Sequence, residues 1–260
     1  MYRGFNLEID QKFKTGKYHE TGLGIYKILK DHVQPSLNNY LLDNGSLDGD
    51  KIMADWFPDI ECHIFLSHSH KDLDTALYIA GLLYHRFEII VFLDSTVWGY
   101  SGDLLKKIDN KYCYNENSDT YDYNSRNFST SHVHMMLSTA LNNMIDKTEC
   151  IIFLNTPNSV SANEKTFSPW IFSELNTSRI IRKKTPSRLQ TQFKMFSDRS
   201  VLSESKRSEL QIEYQLELSH LVKLSLQDLL AWTNQSQFQK EKALDNLYRM
   251  KPLNQKFRND

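Results

Sequence analysis

The sequence predicts an α/β fold in which a mainly parallel sheet is covered by helices on both faces. Two observations predict it. Short apolar runs begin at Cys62, Ile89 and Cys150, as buried strands do. Segments with helical spacing separate these runs between Glu61 and about Arg182. Such alternation is typical of parallel sheets, in which a helix connects each strand to the next.

Composition limits the classes of function. The chain has 260 residues, enough for one large domain or for a domain of about 150 residues with additions. Lys plus Arg is 31 and Asp plus Glu is 32, so no global charge favours nucleic acid or an anionic membrane as partner. The chain has three cysteines, no CxxC pair and no apolar run that could span a bilayer. We expect a cytoplasmic protein with reduced thiols.

The first section, residues 1–58, is interpreted as an N-terminal helical arm. Its apolar residues recur every four positions, at Ile25, Leu29, Val33, Leu37 and Leu41. Pro35 is expected to kink or split this helix. A turn is predicted at 43–46.

The first predicted strand, Cys62–Leu66, ends in a turn rich in Ser and His. Ser69, with Asp72 three residues later, has the spacing of a capping box. A helix follows, with apolar residues at Leu73, Ala76, Leu77, Ala80 and Leu83. The free N–H groups at the start of a helix bind anions, so this turn predicts a phosphate or nucleotide site.

The second predicted strand, Ile89–Leu93, leads into Asp94 and a predicted loop. Gly99 and Gly102 are expected to make this loop mobile, and Trp98 offers a ring on which a base could stack. Residues 111–129 are rich in Asn, Asp, Tyr and Ser and are interpreted as a long polar loop or insertion.

The third predicted strand, Cys150–Leu154, follows a helix that is expected to begin after Thr130 or Ser131. Ser168 is predicted to cap the next helix, with Pro169 at its first position. Trp170 and Glu174 are four residues apart, so they share one face of this helix.

The remaining sequence gives weaker signals. Residues 185–209 are polar without periodicity, 212–218 alternate as a half-exposed strand would, and 226–250 are predicted to be helical. The predicted organisation is therefore a helical arm (1–58), an α/β domain (59–225) with a polar insertion near 111–129, and a C-terminal helical tail (226–260).

Residues 60–182 resemble a TIR (Toll/interleukin-1 receptor) domain. The run His63–Asp72 is similar to the first strand and loop of that family, and Phe92–Asp103 takes the place of the loop after its second strand, without the usual Pro-Gly. Glu174 takes the place of the catalytic glutamate in TIR domains that cleave NAD. The resemblance implies a flavodoxin-like fold with the nucleotide at the carboxyl ends of the strands.

The resemblance also implies a function similar to that of bacterial antiviral-defence TIR enzymes. NAD would be the substrate, no cofactor or metal would be needed, and the product would be ADP-ribose or a cyclic ADP-ribose signal for a downstream effector. Self-association through TIR surfaces is expected. Glu174 would be catalytic, and the implied NAD contacts are Phe65, Ser67, His68, Asp94, Trp98 and Trp170.

One carboxylate is enough for this chemistry. Nicotinamide leaves NAD as a neutral molecule, so no acid is needed to protonate it, and Glu174 would stabilise the positive charge that develops on the ribose. A zinc site is disfavoured because His68 and His70 have no partner at ligand spacing. Two alternatives stay open: a non-catalytic TIR scaffold, for which Glu174 is dispensable, and an enzyme like the nucleoside deoxyribosyltransferases, which share this architecture and a catalytic glutamate.

Overall fold

A computed structural model describes residues 1–30, 36–189, 212–235 and 237–253, without the side chains of 29–30 and 96–99. Its centre is a parallel sheet of five strands, which are β1 (Arg3–Glu8), β2 (Ile64–Ser67), β3 (Val91–Leu93), β6 (Cys150–Asn155) and β9 (Val222–Ser225). Their order across the sheet is β3-β2-β6-β1-β9. The predicted α/β class is confirmed, and the sheet with its flanking helices is consistent with a flavodoxin-like fold.

Eight α-helices and two small antiparallel strand pairs form most of the rest of the described structure. The helices are α1 (Lys17–Lys30), α2 (Gly49–Trp56), α3 (Leu73–Phe87), α4 (Ser95–Tyr112), α5 (Tyr123–Lys147), α6 (Pro169–Ile180), α7 (Leu226–Thr233) and α8 (Lys240–Met250). One antiparallel pair joins β4 (Tyr114–Asn115) to β5 (Thr120–Tyr121), and another joins β7 (Lys165–Thr166) to β8 (Tyr214–Gln215).

The sheet has two differently covered faces because successive side chains of a strand point to opposite sides. The first face, with Leu66 and Ile152, packs against α3, α7 and α8. The second face, with Phe65, Phe92 and Phe153, packs against α2, α4, α5 and α6. The helices therefore lie on both faces, as predicted.

The N-terminal arm was predicted wrongly at its start. Residues Arg3–Glu8 form an inner strand, β1, which pairs with β6 and β9. Phe5 and Leu7 lie in the core, but the strand has only six residues and includes the buried Asn6, so its pattern is weak. Of the helix predicted through Leu41, α1 is described as far as Lys30 and Leu37–Tyr40 form a short 3-10 helix, whereas Pro35 and its predicted kink lie outside the described residues.

Helices α1 and α3 meet at two glycines. A Cβ atom on Gly22 would lie 1.9 Å from the carbonyl oxygen of Leu77, and one on Gly81 would lie 1.8 Å from that of Tyr18. Since any side chain at either position would overlap backbone atoms, this close approach requires glycine in both helices.

The polar segment 111–129 is not a long loop. It contains the end of α4, the β4–β5 hairpin and the first turns of α5, which begins at Tyr123, before the predicted start. Asp122 caps α5 by accepting a hydrogen bond from the Ser125 N–H (2.8 Å). The prediction failed because these first turns are largely exposed, so they carry no apolar stripe.

Two other local predictions were wrong. The segment after β3 is helix α4 rather than a loop, and Gly99 and Gly102 lie within it. Ser69 forms no capping box: it accepts a hydrogen bond from the Lys71 N–H, and Asp72 bonds elsewhere.

The C-terminal segment 226–250 contains two helices, α7 and α8, in place of the continuous helical pattern predicted, and both pack into the core of the first face. Trp232 is fully buried and donates a hydrogen bond from Nε1 to the carbonyl of Ala243 (2.9 Å). The predicted strand at 212–218 is limited to β8, and residues 190–211 lie outside the described part of the chain. No helix of the described ranges is both long and apolar enough to cross a membrane.

Candidate active site

Three polar side chains meet at the carboxyl edge of the sheet. Ser67 ends β2, and Asp94 follows β3, the neighbouring parallel strand. Each lies two positions after a phenylalanine of the second face, so the alternation of the strands directs both toward that face. Helix α6 covers the same face and carries the third side chain, Glu174.

Local sequence signals determine where helix α6 begins and therefore where Glu174 lies. The Ser168 hydroxyl accepts a hydrogen bond from the Ile171 N–H and caps α6, and Pro169 occupies its first turn, as predicted. Trp170 and Glu174 are one helical turn apart. Trp170 is half-buried, with its ring 5.9 Å from that of His134.

The carboxyl group of Glu174 is enclosed, with 1% of the residue exposed. Its Oε2 accepts a hydrogen bond of 2.6 Å from Ser67 Oγ. Its Oε1 is also buried and has no hydrogen-bond partner among the described residues. A buried carboxylate oxygen without a donor is costly, so this environment disfavours the charged form of Glu174.

The surroundings of Glu174 favour its neutral form. Burial raises its pKa well above the usual range, and the negative charge of Asp94 raises it further. The hydrogen bond from Ser67 acts in the opposite direction. Asp94 and Glu174 therefore form a carboxyl pair that retains a proton at pH values where an exposed glutamate is ionised.

His68 lies behind this pair. Its Nδ1 is 2.8 Å from Asp94 Oδ1 and 3.2 Å from the carbonyl oxygen of Leu66. Both neighbours are acceptors, so Nδ1 carries a proton. The backbone N–H of Ser95 also donates to Asp94 Oδ1, at 2.8 Å.

The ring of His68 is buried, and its Nε2 has no partner in the described part of the chain. Burial lowers its pKa, but the charge of Asp94 and the two hydrogen bonds outweigh burial and raise it above the usual value. Asp72 adds a smaller contribution in the same direction. The contact with Asp94 thus favours the charged form of His68.

A second polar cluster lies at the same edge of the sheet. Asp72 accepts hydrogen bonds from Thr156 Oγ1 (2.5 Å) and Asn158 Nδ2 (2.6 Å). These groups border a cavity of about 110 Å³, together with residues 9–12 that follow β1. Thr156 and Asn158 were not predicted from the sequence, although they follow within three residues of a buried strand. That position was the available signal, because ligands of α/β proteins bind at the carboxyl ends of strands.

The other predicted NAD contacts lie as follows. Phe65 is fully buried two residues before Ser67 on the same face of the sheet, with its ring 5.3 Å from that of Phe92. Its contact with NAD stays a prediction. The backbone of Trp98 lies in α4, and its side chain is outside the description. A larger cavity, of about 330 Å³, lies at the opposite edge, beside Cys62 and Thr148.

The arrangement could support acid–base or electrostatic chemistry. A carboxyl group held by a hydroxyl, with a second carboxylate beside it, can stabilise a developing cation or donate a proton. No group of three His, Cys, Asp or Glu side chains that could hold a metal ion is present within the described ranges. Comparison of the chain with protein-family models, curated proteins and solved structures gives no match in any of the three.

Proposed function

We propose that this protein is a TIR-type NAD⁺ glycohydrolase or cyclase in which Glu174 is the catalytic residue. The observation that carries the proposal is the position of Glu174 at the carboxyl edge, bonded to Ser67 and facing Asp94. The resemblance of residues 60–182 to TIR domains supplies the substrate class.

In the proposed reaction the bond between ribose C1′ and the nicotinamide nitrogen breaks, and its electron pair leaves with nicotinamide. The ribose then carries positive charge, which the Glu174 carboxylate stabilises. Water adds to C1′ and one proton is released, which gives ADP-ribose. If a nucleophile of the same molecule replaces water, the product is cyclic.

The substrate itself favours the active form of Glu174. NAD carries a positive pyridinium ring, and a cation close to a carboxyl group lowers its pKa. Binding therefore promotes loss of the proton that the Asp94–Glu174 pair retains in the empty site. Because Glu174 is almost completely covered, the side chains around it must move before NAD reaches it.

The cellular part of the proposal follows from the same resemblance. The protein would act in the cytoplasm in bacterial antiphage defence, with self-association through TIR surfaces and an effector that senses the product. A concentration-dependent activity is the expected sign of such self-association.

One observation favours a second candidate, a nucleoside deoxyribosyltransferase-like enzyme. A neutral nucleobase needs a proton as it leaves, and the carboxyl pair of Asp94 and Glu174 retains one. This candidate predicts cleavage of deoxynucleosides and no cleavage of NAD.

The two candidates are separated by incubating the purified protein, at low and high concentration, with NAD and with a set of deoxynucleosides plus a different free nucleobase as acceptor. Products are identified by mass spectrometry, and Glu174→Gln is compared with Glu116→Gln, a change on an exposed hairpin. Loss of NAD that only Glu174→Gln abolishes supports the glycohydrolase. Loss of deoxynucleosides alone supports the transferase, and no reaction at either concentration favours a scaffold.

A further inference from the structure

We infer that His68 and Asp94 are positioning residues for Glu174: His68 and the Ser95 N–H hold the Asp94 carboxyl group, and that carboxyl group lies beside Glu174 in the same buried cluster. Together they form a relay that decides at which pH Glu174 becomes a carboxylate. The inference rests on the proposed function for its link to catalysis, but the relay itself can be observed without substrate.

The contacts form a continuous chain behind the candidate catalytic group. His68 Nδ1 donates to Asp94 Oδ1 over 2.8 Å, and Asp94 faces Glu174. All three residues are buried, with exposed fractions of 1–3%. Their charges therefore interact with little screening by water.

His68 is placed to act through Asp94. Its Nδ1 lies beside Asp94 and the carbonyl oxygen of Leu66, and its side chain is completely covered. Asp94 Oδ1 in turn accepts bonds from His68 and from the Ser95 N–H. These contacts fix the Asp94 carboxyl group beside Glu174.

The groups that face the relay are few. His68 is next to Asp94, which follows β3, and experiences the charge of Asp72 from the turn before α3. Glu174 is next to Asp94 and the neutral Ser67. Removing the positive charge of His68 and removing the negative charge of Asp94 should therefore change the ionisation of Glu174 in opposite directions.

The direction in which each variant shifts the ionisation of Glu174 follows from these charges. His68→Asn keeps an N–H donor for Asp94 but removes the positive charge, so ionisation of Glu174 beside Asp94 becomes harder. Asp94→Asn removes the negative charge next to Glu174, so its ionisation becomes easier. We expect the midpoint of the Glu174 titration to move upward by about one pH unit in His68→Asn and downward by about one pH unit in Asp94→Asn.

Two measurements test the relay. The first is the infrared carbonyl band of the protonated carboxyl group in the protein without substrate, titrated with pH and assigned by its loss in Glu174→Gln. The second is the pH dependence of kcat/KM for NAD, whose acid limb reports the same group in the free enzyme. His70→Gln is the matched control, because His70 is exposed two residues away. Thermal unfolding identifies variants that are not folded.

We expect the infrared midpoint to shift upward in His68→Asn and downward in Asp94→Asn, and to stay unchanged in the control His70→Gln. Shifts in the same direction, or midpoints equal to that of the wild type, would overturn the relay. If one variant fails to fold, the direction of the other decides. If NAD is not cleaved at any pH, the proposed function fails, whereas the infrared midpoints still decide the relay.

Discussion

Ser67 Oγ donates a hydrogen bond of 2.6 Å to Glu174 Oε2 and thereby joins the end of β2 to the middle of α6. The bond satisfies one buried carboxyl oxygen and favours the ionised form of the group. It therefore opposes burial and the charge of Asp94, which favour the neutral form. The balance of these effects sets the fraction of protein in which Glu174 can stabilise a cation.

Ser67→Ala should reduce NAD cleavage more at pH 7 than at pH 8.5. Without the hydroxyl the pKa of Glu174 rises further, so a smaller fraction is ionised at neutral pH. The lost bond should also lower the free energy of unfolding by about 1–2 kcal/mol. The measurements are kcat/KM at both pH values and urea unfolding, with Ser69→Ala as control. An equal loss of activity at both pH values would contradict this interpretation.

His220 should make the protein less stable in acid. Burial and the charge of Lys183 lower its pKa to about 4, and its Nε2 contacts Ser178 Oγ at 2.7 Å. Because the folded-state pKa is depressed, this stabilising contribution is present above the unfolded value, about 6.5, and is lost as the pH falls toward 4.

The comparison that isolates this effect is wild type against His220→Gln. The difference between their free energies of unfolding should fall by about 2 kcal/mol from pH 7 to pH 5. Urea unfolding at several pH values measures it. Contributions from other groups, such as His68, occur in both proteins and cancel. A difference that stays constant with pH would show that His220 is not held neutral.

The α1–α3 contact predicts opposite effects for two alanine substitutions in one helix. Gly22→Ala places a methyl group against the carbonyl of Leu77 and should destabilise the protein by about 3 kcal/mol. Gly24→Ala meets nothing within 4 Å and should stabilise it by up to about 1 kcal/mol, because alanine favours the helix. Urea unfolding of both variants checks the prediction, and equal effects would place α1 away from α3.

The C-terminal helices should unfold together with the sheet. Trp232 packs against Phe87 with ring centroids 4.9 Å apart, so Trp232→Ala should cost about 3–5 kcal/mol. Leu230→Ala is the control in the same helix, and it should cost less than about 1 kcal/mol because Leu230 is 46% exposed. Circular dichroism during urea unfolding should show one transition. A separate early transition in Trp232→Ala would indicate an independent tail.

Local signals in the sequence predicted much of the architecture. Three of the five strands, the Ser168 cap and the shared face of Trp170 and Glu174 each depend on neighbouring residues. Strand β1 was missed because its place beside β6 depends on pairing with residues about 147 positions away. The start of α5 was missed because an exposed helix needs no apolar pattern.

The candidate site, like the fold, could be predicted from the sequence only where local signals were enough. The types and order of Ser67, Asp94 and Glu174 were visible in the sequence, but their mutual contacts were not. The bond from His68 to Asp94 and the placement of Asp72 against Thr156 depend on the geometry of adjacent strand ends. Contacts of this kind are set by the order of the strands in the sheet, which was not predicted from the sequence.

The catalytic role of Glu174 is tested most directly by the release of free nicotinamide from NAD, compared between wild type and Glu174→Gln at equal concentrations of folded protein. The substitution keeps the size of the side chain and removes its ability to become negative. We predict nicotinamide release by the wild type, with formation of an ADP-ribose product, and a loss of at least about 100-fold in Glu174→Gln. Equal release by both proteins would contradict the assignment of Glu174, and no release by the wild type at any protein concentration would contradict NAD as the substrate.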